Sequence, residues 1–195
     1  GIVQPIVCIP TTLSTGYVIS GEVAGSLDRT SGTPAPTVAC DTDNGYEEVP
    51  GGSATLAMCT VDGEPYELSG CRPIVCTVPS DDGYEFGNPI GNLDLSAGDF
   101  SVAVDCQSGY EGTAQATPCS SSGPFSVDGC TPIVCDSKFE DVPVGYYLAV
   151  AADEANLDLS AGEFAVTARC ATNYRGDAVA TACSESGPYT LSGCE

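Results

Sequence analysis

The chain has 195 residues, with twelve cysteines, no histidine, and 27 acidic against five basic side chains, for a formal net charge of −22. So few Lys and Arg exclude a nucleic-acid or anionic-membrane surface, because both need clustered positive charge. The absence of histidine and of any C-x-x-C pair excludes the usual zinc spacings. Twelve cysteines are typical of a disulfide scaffold from an oxidising compartment, and no apolar run approaches the ~20 residues that span a bilayer. We therefore expect an extracellular or cell-surface protein with no membrane insertion.

The chain is an internal repeat. The words "VQPIVC", "GCRPIVC" and "GCTPIVC" open three successive sets of four cysteines, and a Gly-Tyr pair follows early in each set. A fixed period of this kind predicts tandem copies of one structural unit. We expect three modules, 1–71 with an N-terminal extension at 1–7, then 72–130, then 131–195, strung into an elongated rod. The cysteines of the three sets are Cys8, Cys40, Cys59 and Cys71; Cys76, Cys106, Cys119 and Cys130; and Cys135, Cys170, Cys183 and Cys194.

The first module contains a segment rich in Ser, Thr and Pro, "RTSGTPAPTVAC" at 29–40. One alternative is an edge strand whose prolines block further pairing. The other is an O-glycosylated segment, which is typical of this composition. N-glycosylation is excluded because the chain has no N-x-[ST] sequon. The candidate O-glycosylation sites are Thr30, Ser31, Thr33 and Thr37.

The second and third modules show strand patterns before their second cysteines. In "DFSVAVDC" apolar residues occupy alternate positions from 100 to 106, and "EFAVTARC" repeats the alternation from 164 to 170. Period two with β-branched residues predicts a strand with one buried face. The words "DTDNGYE", "CQSGYEG" and "ATNYRGD" then supply turn residues. Since no window shows a helical period, each module should be a small all-β unit.

Size explains why each module needs four cysteines. A domain of about 60 residues buries only about 60% of its unfolded surface and is marginal without help. Closing a loop of ~50 residues with a disulfide stabilises it by roughly 4 kcal/mol on the chain-entropy model. Four cysteines allow three pairings, and the spacing alone does not choose among them.

These motifs resemble the sushi domain, also called the complement control protein module. The resemblance rests on the cysteine spacing, on "CQSGY" at 106–110, on "GPF" at 123–125 and on the short linkers, and it covers essentially the whole chain. Two departures mark these modules as divergent. Tyr66, Phe125 and Tyr189 replace the tryptophan that the family carries between its third and fourth cysteines. The first module has six extra residues between Cys40 and Cys59.

The resemblance implies that the first cysteine of each module pairs with the third and the second with the fourth. It also implies elongated modules joined end to end. The implied disulfides are Cys8–Cys59, Cys40–Cys71, Cys76–Cys119, Cys106–Cys130, Cys135–Cys183 and Cys170–Cys194.

Catalysis and cofactors find no support in the sequence. A Ser or Cys nucleophile normally relies on His or Lys for activation, and the chain has no His and one Lys. Adjacent carboxylates in turn-like sequence are usually solvated rather than catalytic. We therefore expect a protein that is not an enzyme and that needs no cofactor other than, at most, calcium.

Calcium is the one metal with a candidate site. An Asp follows Leu at the same place in all three copies, in "SLDRTSG" and the two words "NLDLSAG". Oxygen ligands are those that calcium prefers. The same Asp residues would serve equally well as acceptors in Asx turns. The candidate residues are Asp28, Asp94 and Asp158.

Two functions remain. In the first, the chain is a structural or adhesive repeat protein, a subunit of a filament or surface coat that self-associates head to tail. The N-terminal Pro-Ile-Val lacks a preceding module, so we expect an assembly contact from Gln4, Pro5, Ile6 and Val7 to Glu195 of the next copy. In the second, the chain is a recognition module that binds a protein or glycan through a patch on one module.

Overall fold

The computed structural model describes residues 4–12, 14–21, 27–29 and 33–195, and these form short β-strands with two 3₁₀ helices, Thr42–Asn44 and Ala151–Asp153. No helix in this part of the chain has the length and apolar character to cross a membrane. The first predicted module contains β1 (Tyr17–Ser20), β2 (Thr37–Cys40), β3 (Tyr46–Glu48), β4 (Thr55–Ala57), β5 (Glu67–Ser69) and β6 (Cys71–Pro73). The second contains β7 (Cys76–Thr77), β8 (Tyr84–Asn92), β9 (Ser101–Cys106), β10 (Tyr110–Thr117), β11 (Gly123–Pro124) and β12 (Ser126–Pro132). The third contains β13 (Cys135–Asp136), β14 (Tyr146–Tyr147), β15 (Glu154–Asn156), β16 (Ala165–Val166), β17 (Arg169–Cys170), β18 (Val179–Thr181), β19 (Gly187–Pro188) and β20 (Thr190–Ser192).

The strands pair in twos, and each pair lies within one predicted module except that β6 and β12 extend two residues beyond the predicted boundaries at 71 and 130. The antiparallel pairs with a defined register are β1–β2, β3–β6, β4–β5, β10–β12, β14–β17, β15–β16 and β18–β20. Strand β8 pairs with β9. Two parallel pairs, β7–β11 and β13–β19, join the opening cysteine of a module to the Gly-Pro before its buried aromatic ring. The all-β fold class is confirmed.

Six disulfides hold these small sheets together, and they are the six pairs that the sushi resemblance implies. Their Cα–Cα distances run from 5.4 to 5.7 Å, and no cysteine of the described chain is free. The first-to-third bridges close sequence separations of 51, 43 and 48 residues. On the chain-entropy model each of these stabilises the fold by about 4 kcal/mol.

Cysteines also supply much of the buried core. Of the buried apolar residues in the described chain, half are cysteines, and the largest are the aromatic rings Tyr66, Phe125 and Tyr189. The rings of Phe125 and Tyr189 each lie 5.6 Å from a second ring, that of Phe100 or Phe164. A buried aromatic ring therefore lies between the third and fourth cysteines of each set of four.

The chain divides into two compact units. The first consists of Gly1–Val78, Gly91–Ser101 and Pro118–Phe125, and the second of Pro79–Ile90, Val102–Thr117 and Ser126–Glu195. The first unit contains the 72–75 linker with the segments on both of its sides, and the second contains the 131–134 linker in the same way. The boundary therefore falls inside the predicted second module, because the contacts around each linker are dense.

The predicted strand patterns hold in one case and break in the other. Strand β9 alternates exposed and half-buried residues throughout, as predicted for 100–106. The segment 164–170 forms two short strands instead of one. Thr167 lies between them and donates its N–H to the carbonyl of Asp153 at 2.7 Å, outside either strand pair. This bond to the 3₁₀ segment replaces the strand pairing at that point.

Candidate functional site at the module seams

The two linkers are each held between a loop before them and a loop after them, and we call these contact regions the seams. The first seam lies within the first compact unit and comprises Gly45, Glu47, Ile74, Val75, Leu95 and Ser122. The second lies within the second unit and comprises the equivalent residues Gly109, Glu111, Ile133, Val134, Leu159 and Ser186.

An isoleucine joins the two sides of each seam through its backbone. The Ile74 N–H donates to the Gly45 carbonyl at 2.8 Å, and the Ile74 carbonyl accepts the Leu95 N–H at 3.0 Å. Both bonds recur at 2.9 Å in the second seam, among Gly109, Ile133 and Leu159. Each linker is therefore hydrogen-bonded on both sides, which gives a stiff joint.

The isoleucine and the valine of each linker have different surroundings. Ile74 and Ile133 are only 4% and 8% exposed, whereas Val75 and Val134 are 43% and 45% exposed. Residue type alone predicts that both of these apolar side chains pack on the adjoining module. The structure corrects this for valine, which uses its N–H to reach the Ser122 or Ser186 hydroxyl oxygen at 3.1 Å.

A glycine allows the closest approach in each seam. Gly45 and Gly109 have φ angles of 77° and 87°, a region that L side chains rarely adopt. A Cβ on Gly45 would lie 2.4 Å from the Leu95 carbonyl carbon, and one on Gly109 would lie 2.4 Å from the Leu159 carbonyl oxygen. Any larger residue at these positions must push the seam apart.

A glutamate carboxylate adds a further hydrogen bond to each seam. Glu47 Oε2 accepts the Ser122 N–H at 3.1 Å, and both oxygens of Glu111 accept the Ser186 N–H, at 3.2 and 3.1 Å. Glu47 also forms an ion pair with Arg72 at 2.7 Å. The pKa of the Glu47 carboxyl lies below its ordinary value, chiefly because of hydrogen bonding from the Ser122 side chain, with smaller contributions from the Ser122 N–H and Arg72. The fold thus favours the ionised form of this glutamate.

The repeated "NLDLSAG" word forms a self-bonded loop. The Asn92 amide donates to the carbonyls of Gly98 and Asp99, and its oxygen accepts the Asp94 N–H. Asp94 Oδ1 in turn accepts the N–H and hydroxyl of Ser96, at 2.9 and 2.7 Å. The third module repeats this arrangement with Asn156, Asp158 and Ser160. These internal contacts give a physical reason for the repetition of the word.

The candidate calcium residues therefore act as turn acceptors where their bonds are defined. Asp94 and Asp158 each hold a serine two residues later, which is the Asx-turn alternative. The pKa of Asp158 is lowered, mainly by the Ser160 hydroxyl. Asp28 pairs with Val7 in a backbone bridge, as Asp94 does with Val75. Within the described residues, no three Asp, Glu, His or Cys side chains converge as a metal site would require. Calcium binding by these residues stays a prediction.

The predicted N-terminal contact residues form part of the backbone bonding of a seam, and we call the arrangement of Ile6 and Val7 against Asp28 and Arg29 the half seam. Ile6 accepts the Arg29 N–H at 3.1 Å, the bond equivalent to that between Leu95 and Ile74. Ile6 is only half-buried, while Gln4, Pro5 and Val7 are exposed. Glu195, the other predicted contact residue, is exposed and exchanges two backbone hydrogen bonds with Arg175, at 2.8 and 2.9 Å.

The O-glycosylation candidates are only partly described. Thr30 and Ser31 lie outside the described residues. Thr37 is exposed at the start of β2, and its hydroxyl donates to the Ser20 carbonyl at 3.4 Å. Thr33 is half-buried. Of the two alternatives for this segment, a strand is present from residue 37 onward, and modification stays a prediction.

A further cluster of hydrogen bonds surrounds the half-buried Glu154 in the third predicted module. Glu154 accepts hydrogen bonds from the Ser137 hydroxyl, from the Lys138 N–H at 2.7 Å and from the Tyr189 hydroxyl at 2.7 Å. Burial alone would raise the pKa of Glu154, but these bonds outweigh it and the pKa is lowered. Burial and the Glu154 carboxylate raise the pKa of Tyr189.

The sequence analysis missed the Glu–Ser contacts of the seams. The repeats themselves contain a signal, since Glu47 and Glu111 each directly follow the tyrosine that comes after the second cysteine of their copy. Their serine partners lie 75 residues further along the chain. No local pattern connects residues at that separation.

We compared the chain with known proteins by sequence and by structure. No known protein family, no curated protein and no solved structure matches the chain. The six disulfides are typical of extracellular and secreted proteins.

Proposed function

We propose that the chain is an extracellular structural or adhesive repeat protein, built from three divergent sushi-like modules, whose copies associate head to tail. The seams are built as stiff joints. Each seam is held by an isoleucine bonded on both sides, a glycine in close contact and a glutamate bonded across the linker. A chain joined in this way suits a load-bearing or spacing role better than a flexible one.

The single observation that carries the proposal is the exposed half seam at the N-terminus. Ile6 and Val7 adopt the backbone bonding of the internal seams, with Arg29 donating to Ile6 and Val7 bridging Asp28. Ile74 and Ile133 are buried in this pose, whereas Ile6 is only half-buried. A preformed edge of this kind pays little conformational entropy when it binds. The C-terminal face of a second copy is the proposed partner.

The test is the association state of the chain with and without an intact half seam. Sedimentation velocity over a concentration series should show oligomers, and electron micrographs should show fibres. Ile6→Glu should weaken association at least tenfold, because it places a charge in the contact. Ile9→Glu is the matched control, since Ile9 is 48% exposed and lies outside the Pro-Ile-Val segment. A chain that stays monomeric at high concentration in calcium and salt refutes the proposal.

The second candidate, recognition of a protein or glycan, is favoured by an apolar stretch in the third module. Val144 is 86% exposed, and Tyr147 and Val150 are 52% and 53% exposed. The divergence of the first module in sequence would instead favour that module as the place for such a patch. Deletion of single modules separates the two functions. Loss of ligand binding on removing only the third module would favour recognition, whereas loss of association on removing either outer module would favour assembly.

A further inference from the structure

The two seams share a contact whose residues differ at the equivalent positions of the first and third predicted modules. In each seam a glutamate after the repeated tyrosine accepts the N–H of a serine three residues after a third cysteine. The equivalent residue after the tyrosine in the third module is Arg175, and the equivalent residue after the third cysteine in the first module is Asp62. The neutral partner of the seams has become acidic, and the acidic partner has become basic.

Hydrogen bonds confirm that these positions are equivalent. Asp62 Oδ1 accepts the Val7 N–H at 3.0 Å, as the hydroxyls of Ser122 and Ser186 accept the valine N–H groups of the seams at 3.1 Å. Arg175 is bonded through its backbone to Glu195, as Glu47 is paired with Arg72. The strand pair at the C-terminal face therefore carries the same two charges as that of the first seam, in exchanged positions.

Arg175 is also the positive residue that the fold does not use. Three of the other four basic side chains make intrachain polar contacts: Arg29 with the Cys59 carbonyl, Arg72 with Glu47 and Arg169 with Asp153. The fourth, Lys138, lies over the Tyr189 ring at 5.4 Å. Within the described residues no ion pair involves Arg175, which is exposed. In a chain with only five basic residues, this leaves one positive group available on the C-terminal face.

We infer that Arg175 of one copy forms an ion pair with Asp62 of the next copy. The inference rests on the proposed head-to-tail function and names the groups that select the partner. Asp62 is exposed, and its carboxylate has acceptor capacity beyond the bond from Val7. Opposite charges placed at equivalent seam positions set the orientation and the register of the contact.

Asn173 explains why a long charged pair suits this contact. Asn173 has a φ of 74° and occupies the place of Gly45 and Gly109. In the seams a Cβ at that place would lie 2.4 Å from the opposing backbone, where ordinary contact begins at about 3.4 Å. The contact between copies must therefore be wider than a seam by roughly 1 Å. An arginine reaches across such a gap where the glutamate and serine of the seams would not meet.

The test is charge reversal with complementation, followed by sedimentation velocity at one fixed ionic strength. The fixed ionic strength matters because two copies of net charge −22 repel each other, so that salt acts on two opposing effects. Arg175→Asp and Asp62→Arg should each weaken association at least tenfold, because each brings like charges together. An equimolar mixture of the two variants should associate as well as the wild type, because every junction in an alternating assembly then joins opposite charges. The matched controls are Arg169→Asp and Asp128→Arg, which change the net charge equally at positions that are not equivalent to any seam contact.

Each outcome decides between the pairing and the wider proposal. If the wild type associates and both single variants associate equally well, the ion pair is refuted and head-to-tail assembly stands. Failure of the mixture to recover association also refutes the pairing. If the wild type never associates, both the ion pair and head-to-tail association are refuted. Arg175→Gln and Asp62→Asn, which keeps an acceptor for the Val7 N–H, repeat the test with milder changes and should each show a smaller loss.

Discussion

A methyl group at Gly109 should open the second seam. In Gly109→Ala the left-handed φ of 87° costs about 1–2 kcal/mol, because an L side chain meets its own backbone there. The new Cβ would also lie 2.4 Å from the Leu159 carbonyl oxygen and 2.8 Å from its carbon. Relieving that overlap requires a shift of about 1 Å, and forced packing of this size costs about 1–3 kcal/mol. The expected total is about 2–5 kcal/mol.

Gly51→Ala separates the two costs. Gly51 has a φ of 75°, but a Cβ there would have no atom within 4 Å. Its substitution should therefore cost only the conformational part, about 1–2 kcal/mol. Gly109→Asn is the second comparison, since Asn tolerates the left-handed region, as Asn173 does with a φ of 74°. This variant keeps the overlap and removes most of the conformational cost.

Amide hydrogen exchange gives the local measurement. The Ile133 N–H donates to the Gly109 carbonyl and the Leu159 N–H to the Ile133 carbonyl, so both amides report on the second seam. Since 1.4 kcal/mol corresponds to tenfold, Gly109→Ala should speed their exchange by roughly 1.5 to 3.5 orders of magnitude and Gly109→Asn by about one to two. Gly51→Ala should leave them unchanged. Unaltered protection of both amides in the Gly109 variants would show that the glycine does not close the seam.

Three other predictions concern single side chains. Tyr189→Phe should lower thermal stability by about 1 kcal/mol and Glu154→Gln by about 2 kcal/mol, because each removes hydrogen bonds of the cluster around Glu154, and a melting curve measures both. The lowered pKa of Glu154 makes its contribution complete above the unfolded value of 4.5, and this contribution is lost as the pH falls below it through the folded pKa. Glu154→Gln should therefore flatten the fall in stability below pH 4.5, and an unchanged profile would contradict the assignment. Asp94→Ala should cost about 1 kcal/mol and Asp94→Asn less, equally with calcium and with a chelator. Stabilisation of the wild type alone by calcium would instead establish the metal site.

The fold class was predictable from the sequence because its determinants are periodic. The alternation from 100 to 106 appears as strand β9, and the rings at Tyr66, Phe125 and Tyr189 are buried where the repeat places them. The strand pattern is interrupted at Thr167, because the Thr167 N–H donates to the carbonyl of Asp153, the last residue of the second 3₁₀ helix. A strand pattern carries no information on such a competing backbone partner.

The seams were harder to predict because their contacts join distant segments. The words Pro-Ile-Val correctly mark the linkers, but the opposite exposures of Ile74 and Val75 follow from hydrogen bonds to residues about 20 to 50 positions away. Glu47 and Ser122 are even further apart in the sequence, by 75 residues. Residue type alone predicts the same burial for the isoleucine and the valine of each linker.

Deviations from the repeat are therefore more informative about function than the repeat itself. The cysteines recur in all three copies, and each copy buries an aromatic ring between its third and fourth cysteines. Among the positions that differ between copies, four are equivalent to seam contacts: Arg29 stands where the other copies have Leu, Asp62 where they have Ser, Asn173 where they have Gly and Arg175 where they have Glu. An interface that must not close like a seam, yet must still choose a partner by charge, requires changes at these places.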